Sequence, residues 1–408
     1  MTTMHRTVPA ELLALDARDP LAHKRAEFAL PSGLIYLDGN SLGALPAHVP
    51  ARLAHVAQQE WGNQLIRSWT GGADEGRDWM QLPDRVAARI ARLIGAQPHE
   101  VAVGDSTSVN LFKLLSAALP LRPDRRVILT DAENFPTDLY VAQGLNALQG
   151  GRYELRRVPT AGLEAALNDE VAVLLLTEVD YRSGARHDLR AMTEAAHAHG
   201  ILTVWDLAHS AGAFPVELDA AGADFALGCG YKFLNGGPGA PSFLYVAERH
   251  LESVQVFLSG WMGHADPFEM ARDYAPAPGA RRFVVGTPSI LNLSALDAAL
   301  EVFEGVDLHQ VRAKSLALAR TFTEQMQPLT ARFPLELVTP HDEDRRGSQV
   351  AYRHPQASEV MRRLIAAGVI GDFRTPDILR FGLTPLYLSH ADVWEAVQTI
   401  GRVLEEGL

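Results

Sequence analysis

Short apolar runs and stretches of helical periodicity alternate through the middle of the chain. From about residue 100 the apolar runs are VAVGD (101–105), RVILT (126–130), YELRRV (153–158), VAVLLLT (171–177), ILTVWD (201–206), ADFALGC (223–229) and APSFLYV (240–246). Runs of this length rich in Val, Ile, Leu and Phe read as strands. Helical patterns lie between several of them, as in SVNLFKLLSAAL (108–119) and DLRAMTEAAHAHG (188–200), the second ending at a glycine suited to a helix C-terminus. Strands alternating with helices predict an α/β fold whose sheet is mostly parallel and covered on both faces. VAVLLLT has no polar position and fits a strand buried on both sides.

After about residue 300 the pattern changes. A long helical stretch, LHQVRAKSLALARTFTEQM (308–326), leads into ELVTP (336–340), SQVAYRH (348–354), a helix near 356–367, ILRFG (378–382) and a last helix, SHADVWEAVQTIGRVLEEG (389–407). The expected organisation is an N-terminal segment (1–45) packing on the small unit or the site, a large α/β domain (46–305) and a smaller α+β domain (306–408). Residues 270–282 read as an irregular loop.

Charge and cysteine content narrow the classes. The chain has 408 residues with 37 Lys plus Arg against 49 Asp plus Glu, a net charge of −12. That balance argues against a general nucleic-acid or membrane-surface binder. The single cysteine, Cys229, excludes an intramolecular disulfide and fits a reducing cytoplasm. No apolar run reaches the length of a membrane span, and the N-terminus lacks the apolar region of a signal peptide.

Polar residues stand where the strands end. Ligands of open parallel sheets bind at the carboxyl ends of strands. Asp105, Ser106, Thr107 and Ser108 follow one strand and open a helix, either as a plain N-cap or as a phosphate site. Asp206 ends ILTVWD with His209 three residues on, either as a structural hydrogen-bonding pair or as the partner of a protonated ring nitrogen. No further residue supplies metal-ligand spacing, so no metal is expected. Lys232 interrupts the apolar stretch ADFALGCGYKFLNGGPGAPSF (223–243). It reads as a lysine snorkelling to water or as an amine kept nucleophilic by desolvation. Phosphate anchor, ring-nitrogen partner and aldehyde partner, in that order, are what a pyridoxal phosphate (PLP) site requires.

The order TSVN, FPTD, DLAHSAG, GYKFLNGGPG resembles the fold type I PLP enzymes of the class V aminotransferase group, and within it the kynureninase family. Matching pieces span nearly the whole chain: YLDGNSLGALP (36–46), TSVNLF (107–112), NFPTD (134–138), DLAHSAGAFPVEL (206–218), GCGYKFLNGGPGAPSFLYV (228–246), GWMGH (260–264), FVVGTPSI (283–290) and DFRTPDILRFGLTPLY (372–387). The resemblance implies an aspartate aminotransferase-like fold with a seven-stranded sheet. Lys232 would bond the cofactor aldehyde, and Asp206 would pair with its pyridine nitrogen near His209. Phe135 would stack on the ring. Thr107, Ser108, Pro136, Thr137, Asp138, Thr177 and Tyr231 would hold the cofactor, mostly at its phosphate. Trp261 and Thr287 would come from the other subunit of a homodimer. Arg380 would grip the substrate α-carboxylate, and Ser41, Trp69 and Thr287 would line the aryl pocket.

The implied reaction is hydrolysis of the Cβ–Cγ bond of L-kynurenine, and of 3-hydroxykynurenine, to anthranilate or 3-hydroxyanthranilate and L-alanine. It would serve tryptophan catabolism and pyridine nucleotide synthesis, with Tyr231 as proton relay. A cysteine desulfurase of the same fold needs a cysteine on a mobile loop, whereas Cys229 lies in the apolar run. A transaminase partitions the same intermediates differently. A non-catalytic relative would have lost Lys232 or Asp206. A dinucleotide-binding oxidoreductase would carry G-x-G-x-x-G where this chain has GDSTSVN.

Overall fold

A computed structural model describes residues 7–71 and 78–407; the first six residues of the N-terminal pattern lie outside the described residues. The chain begins with a short helix, Ala10–Asp16, and a two-residue strand, β1 (Ile35–Tyr36). The apolar runs after residue 100 form β2 (Val101–Val103), β3 (Val127–Asp131), β4 (Glu154–Val158), β5 (Val171–Thr177), β6 (Leu202–Asp206), β7 (Phe225–Gly228) and β8 (Phe243–Val246). They make one seven-stranded sheet in the order β2-β8-β7-β6-β5-β3-β4.

All seven residues of β5 are buried. Alternate side chains point to opposite faces of the sheet. Val173 and Leu175 pack with Leu111, Leu115 and Ala142 of helices Thr107–Ala118 and Pro136–Leu148. Leu174 and Leu176 join the core of Val86, Ile90 and Met192 from helices Leu82–Ile94 and Leu189–Ala198. Both faces are thus covered, which is why the strand needs no polar residue. At the sheet edge, β4 (ELRRV) leaves Glu154 and Arg157 exposed, as an edge strand tolerates.

One strand runs against the rest. β8 is antiparallel to β7 and to β2. Two reversals restore the direction, so β2 ends on the same edge of the sheet as β5, β6 and β7. The segment joining β7 to β8, which carries Lys232, therefore leaves the sheet where Thr107, Thr177 and Asp206 lie.

The C-terminal part has a second sheet. Strands β9 (Glu336–Leu337), β10 (Gln349–Arg353), β12 (Asp372–Arg374) and β13 (Ile378–Gly382) pair in the order β12-β13-β10-β9, all antiparallel. Helices Leu308–Thr330, Ala357–Ala366 and His390–Glu405 accompany it. β1 pairs in parallel with β11 (Val369–Ile370) and ties the N-terminal segment to this part. The loop after β1 reaches the lysine segment instead, where Gly43 N donates to Tyr231 O at 2.8 Å. Among the described residues no helix is long and apolar enough to cross a membrane.

Candidate active site

Thr177 and Asp206 are the last residues of neighbouring strands and stand opposite each other in register. Strand ends in a buried sheet desolvate their side chains, and Asp206 is 4% exposed. Burial raises its pKa, while the Lys232 charge and the Ala208 N–H, which donates to Oδ1 at 2.7 Å, pull it back down. Asp138, in the first turn of helix Pro136–Leu148, is hydrogen-bonded to Asp206, and burial drives its pKa well above the usual carboxylate range. The bond raises the pKa of Asp138 and lowers that of Asp206. The proton of this pair therefore resides on Asp138, and Asp206 is the anion.

Thr177 Oγ1 bridges to Asp138 Oδ2 at 3.3 Å and to Asn134 Oδ1 at 2.5 Å. Asn134 also takes the Phe135 N–H at 2.8 Å and donates to Thr130 Oγ1 at 3.0 Å. This one side chain fixes the turn that presents Phe135. The ring of Phe135 is 37% exposed and meets Tyr181 edge-on at 5.2 Å.

Lys232 sits in a turn closed by Asn235 N to Lys232 O and Gly236 N to Gly230 O, both 2.9 Å. Glycines here are a packing requirement: a Cβ on Gly230 would stand 2.4 Å from Pro241 O. Lys232 Nζ lies 3.0 Å from His209 Nε2. Burial and the charges of Lys232, Arg380 and Arg374 hold the His209 pKa well below its ordinary value. The ring is therefore neutral and accepts from the ammonium, which leaves Nδ1 buried without a protein partner. The structural hydrogen-bonding pair of Asp206 with His209, one of the two sequence readings, does not form: Nε2 meets Lys232 and Nδ1 has no protein partner.

These groups enclose a cavity of about 240 Å³ lined by Thr107, Ser108, Phe135, Thr137, Asp138, Thr177, Tyr181, Asp206, Ala208, His209, Tyr231 and Lys232. At one wall, helix Thr107–Ala118 starts with its free N–H groups, and Ser106 caps it through Val109 N at 3.4 Å. The cap uses Ser106 alone, and Thr107 and Ser108 line the cavity. A larger cleft of about 950 Å³ shares Phe135, Thr177 and Tyr181 but lacks Asp206 and Lys232. A third cavity, about 780 Å³, adjoins the small one through Thr107 and Tyr231 and is lined also by Ser41, Leu42, Cys229 and Thr287. The Tyr231 hydroxyl is pushed up to about 12, chiefly by burial, so the phenol keeps its proton. Cys229 is buried and its thiol is pushed up by burial.

The donor set fits PLP on internal grounds. It offers an amine, a buried carboxylate, an exposed aromatic face and a helix N-terminus around one cavity. Of the remaining sequence-derived residues, Pro136 starts its helix and lines no wall. Trp69 packs edge-on against Trp79 at 5.5 Å and borders neither cavity within the chain. Trp261 lies near Phe268 at 6.1 Å and borders neither. Arg380 is 1% exposed and lines neither of these two cavities. Its Nη1 donates to Tyr181 O at 2.6 Å, and its Nη2 donates to Ser41 Oγ at 2.6 Å and Asp372 Oδ2 at 2.5 Å. Sequence reasoning missed Tyr181, Asn134 and Asp372. The strand-end rule could have found Tyr181, four residues past β5.

A sequence model of the kynureninase C-terminal domain matches residues 311–400. Kynureninase of Deinococcus radiodurans is 69% identical over 397 residues, covering 97% of this chain and 96% of that one. Kynureninase of Burkholderia mallei is 50% identical over 400 residues, covering 97% and 95%. Among solved structures, an apo cysteine desulfurase from Thermococcus onnurineus superposes with a TM-score of 0.80 at 19% identity, covering 96% of this chain and 99% of that one. C-DES with glycine covalently linked to its PLP cofactor does so at 0.74 and 16% identity, covering 92% and 98%. The structural neighbours share the fold; the near-full-length relatives share the sequence. The chain belongs to the kynureninase family, PLP-dependent hydrolases that act on a carbon–carbon bond.

Proposed function

We propose that the chain hydrolyses the Cβ–Cγ bond of L-kynurenine to anthranilate and L-alanine, acts likewise on 3-hydroxykynurenine, and serves tryptophan catabolism. One observation carries the reading: Lys232 Nζ, 3.0 Å from His209 Nε2, faces the same small cavity as Asp206. Bound there, PLP supplies an aldehyde that captures amines and a ring that stores the electron pair left at a deprotonated carbon.

The side chains then have separate duties. Asp206, as the anion of its pair with Asp138, holds a proton on the ring nitrogen. Thr107 and Ser108 bind phosphate with the help of the helix N-terminus, while Thr137, Asp138 and Thr177 fill the adjoining wall. Phe135 lies against the ring. Lys232, oriented by His209, removes the proton at the substrate Cα and returns it elsewhere. The aryl group occupies the 780 Å³ cavity, with Ser41 and Thr287 on its walls. Tyr231 borders both cavities and keeps its phenolic proton. It is placed to serve the γ-carbonyl oxygen or Cβ, between the two. Arg380 receives the α-carboxylate.

A homodimer with shared sites would bring Trp261 to the partner's cavity; Thr287, expected there too, lines the 780 Å³ cavity of its own chain. Trp261 borders neither the small cavity nor the 780 Å³ one of its own chain, and its neighbour Phe268 is 56% exposed. Residues 46–305 would be the large domain and 306–408 the small one, with 1–45 bridging them.

The test is a visible absorbance spectrum of the purified protein, followed by addition of L-kynurenine. We expect a band from lysine-bound cofactor, fluorescent anthranilate and one equivalent of alanine, with band and products lost in Lys232→Ala. A cofactor-loaded protein that released no anthranilate would refute the proposed reaction.

A further inference from the structure

Arg380 is not free to take a carboxylate. Its Nη2 donates to both Ser41 Oγ and Asp372 Oδ2, and its Nη1 to Tyr181 O. A guanidinium grips a carboxylate bidentately along one of two edges, Nε with Nη2 or Nη1 with Nη2. Both edges include Nη2. A bidentate ligand on either edge therefore competes with Ser41 and Asp372 for Nη2.

Asp372 has somewhere to go. It faces Arg380 across the β12–β13 pair, and its Oδ2 is also 2.6 Å from Arg374 Nη2. Ser41 Oγ donates to the same oxygen at 2.8 Å. One carboxylate oxygen is thus held by two cations and a hydroxyl. The Nε atoms of Arg380 and Arg374 are both buried without a partner. Asp38 also acts on Arg380 and has a buried, unpartnered Oδ1, and the cluster holds donor capacity that Asp372 does not use.

We propose that Asp372 occupies the place of the substrate α-carboxylate on Arg380, and that substrate binding passes Asp372 wholly to Arg374. This rests on Arg380 receiving the substrate carboxylate. Asp372 is then a positioning residue that competes with substrate, and Arg374 is the cation that makes the exchange possible. The exchange also frees Ser41, which belongs to the loop whose Gly43 is bonded to the lysine segment. Recognition of the carboxylate is thereby linked to the turn that carries Lys232.

The experiment measures KM for L-kynurenine and for its α-carboxamide in the cofactor-loaded enzyme. The readout is the ratio of carboxamide KM to kynurenine KM, which a general loss of structure does not move in one direction. In Asp372→Asn the competing charge is gone, and the ratio should rise by roughly tenfold or more. In Arg374→Gln the displaced aspartate has no second cation, and the ratio should fall by roughly tenfold; adding Asp372→Asn should restore it. An unchanged or lowered ratio in Asp372→Asn, or no fall in Arg374→Gln, overturns the exchange. Arg380→Ala separates the two readings: if it leaves the wild-type ratio intact, the carboxylate assignment of Arg380 is what fails. Should one variant not fold, the other reports the same exchange from the opposite side.

Discussion

Gly43→Ala tests how tightly the N-terminal loop is pressed onto the lysine segment. A Cβ at position 43 would lie 2.2 Å from Lys232 O, 2.5 Å from Asn235 Oδ1 and 2.7 Å from Asn235 Cα, whereas ordinary contact begins near 3.4 Å. The loop must back away by about 1 Å, and two of these three atoms are main chain that cannot rotate aside. Lys232 O is further pinned by Asn235 N at 2.9 Å. Overpacking of this kind costs about 1–3 kcal/mol. Separation also weakens the bond from Gly43 N to Tyr231 O, about 1 kcal/mol net. The expected destabilisation is about 2–4 kcal/mol, read as a lowered urea midpoint at unchanged slope. Because the clash falls on Lys232 itself, the visible band of the lysine-bound cofactor should shift, and turnover should fall further than the folded fraction explains. Gly33→Ala is the control. Position 33 has φ +76° but nothing within 4 Å, so it should cost only about 1 kcal/mol of backbone strain and leave the band unchanged. A Gly43→Ala protein within about 0.5 kcal/mol of wild type with an unaltered band would refute the contact.

The remaining predictions concern single side chains. Burial raises the Asp38 pKa to about 6, with the nearby Asp372 charge adding to it and Ser41, Arg380 and Arg374 opposing. The folded state therefore holds this proton more tightly than the unfolded chain. Stability from this group is complete below about pH 4 and is lost as pH rises through about 6, to a total of about 3 kcal/mol. Asp38→Asn should remove that slope from a stability–pH series and be the more stable protein at pH 8; a parallel series would contradict the assignment. Tyr231→Phe should lower kcat by about a hundredfold or more with a smaller effect on KM, since a proton donor is lost while the ring remains. Unchanged turnover with an unchanged pH profile would remove Tyr231 from the mechanism.

The sequence by itself determined the strands of the large sheet and the chain positions of the chemistry. Period and apolar continuity report which faces of a segment are buried, and β5, β6 and β13 fall within a residue of the runs that predicted them. The strand-end rule placed Asp206, Thr107 and Lys232 at one edge because backbone direction follows from alternating strands and helices. Helices Leu82–Ile94 and Pro136–Leu148 escaped that reading. The second is weakly amphipathic in sequence, with Gly144 and small residues along it, so its burial against the sheet decides its state.

Only the tertiary structure decided who pairs with whom. The reversed β8 is fixed by its pairing with both β7 and β2, which no local pattern encodes. His209 chose Lys232 over Asp206 because the lysine turn delivers an ammonium to its Nε2. Arg380 is occupied by Ser41 and Asp372, one from a loop near the start of the chain and one from the neighbouring strand. Periodicity is a property of a segment, set by its own burial. A partner is a property of distances between segments, and those exist only once the chain has folded.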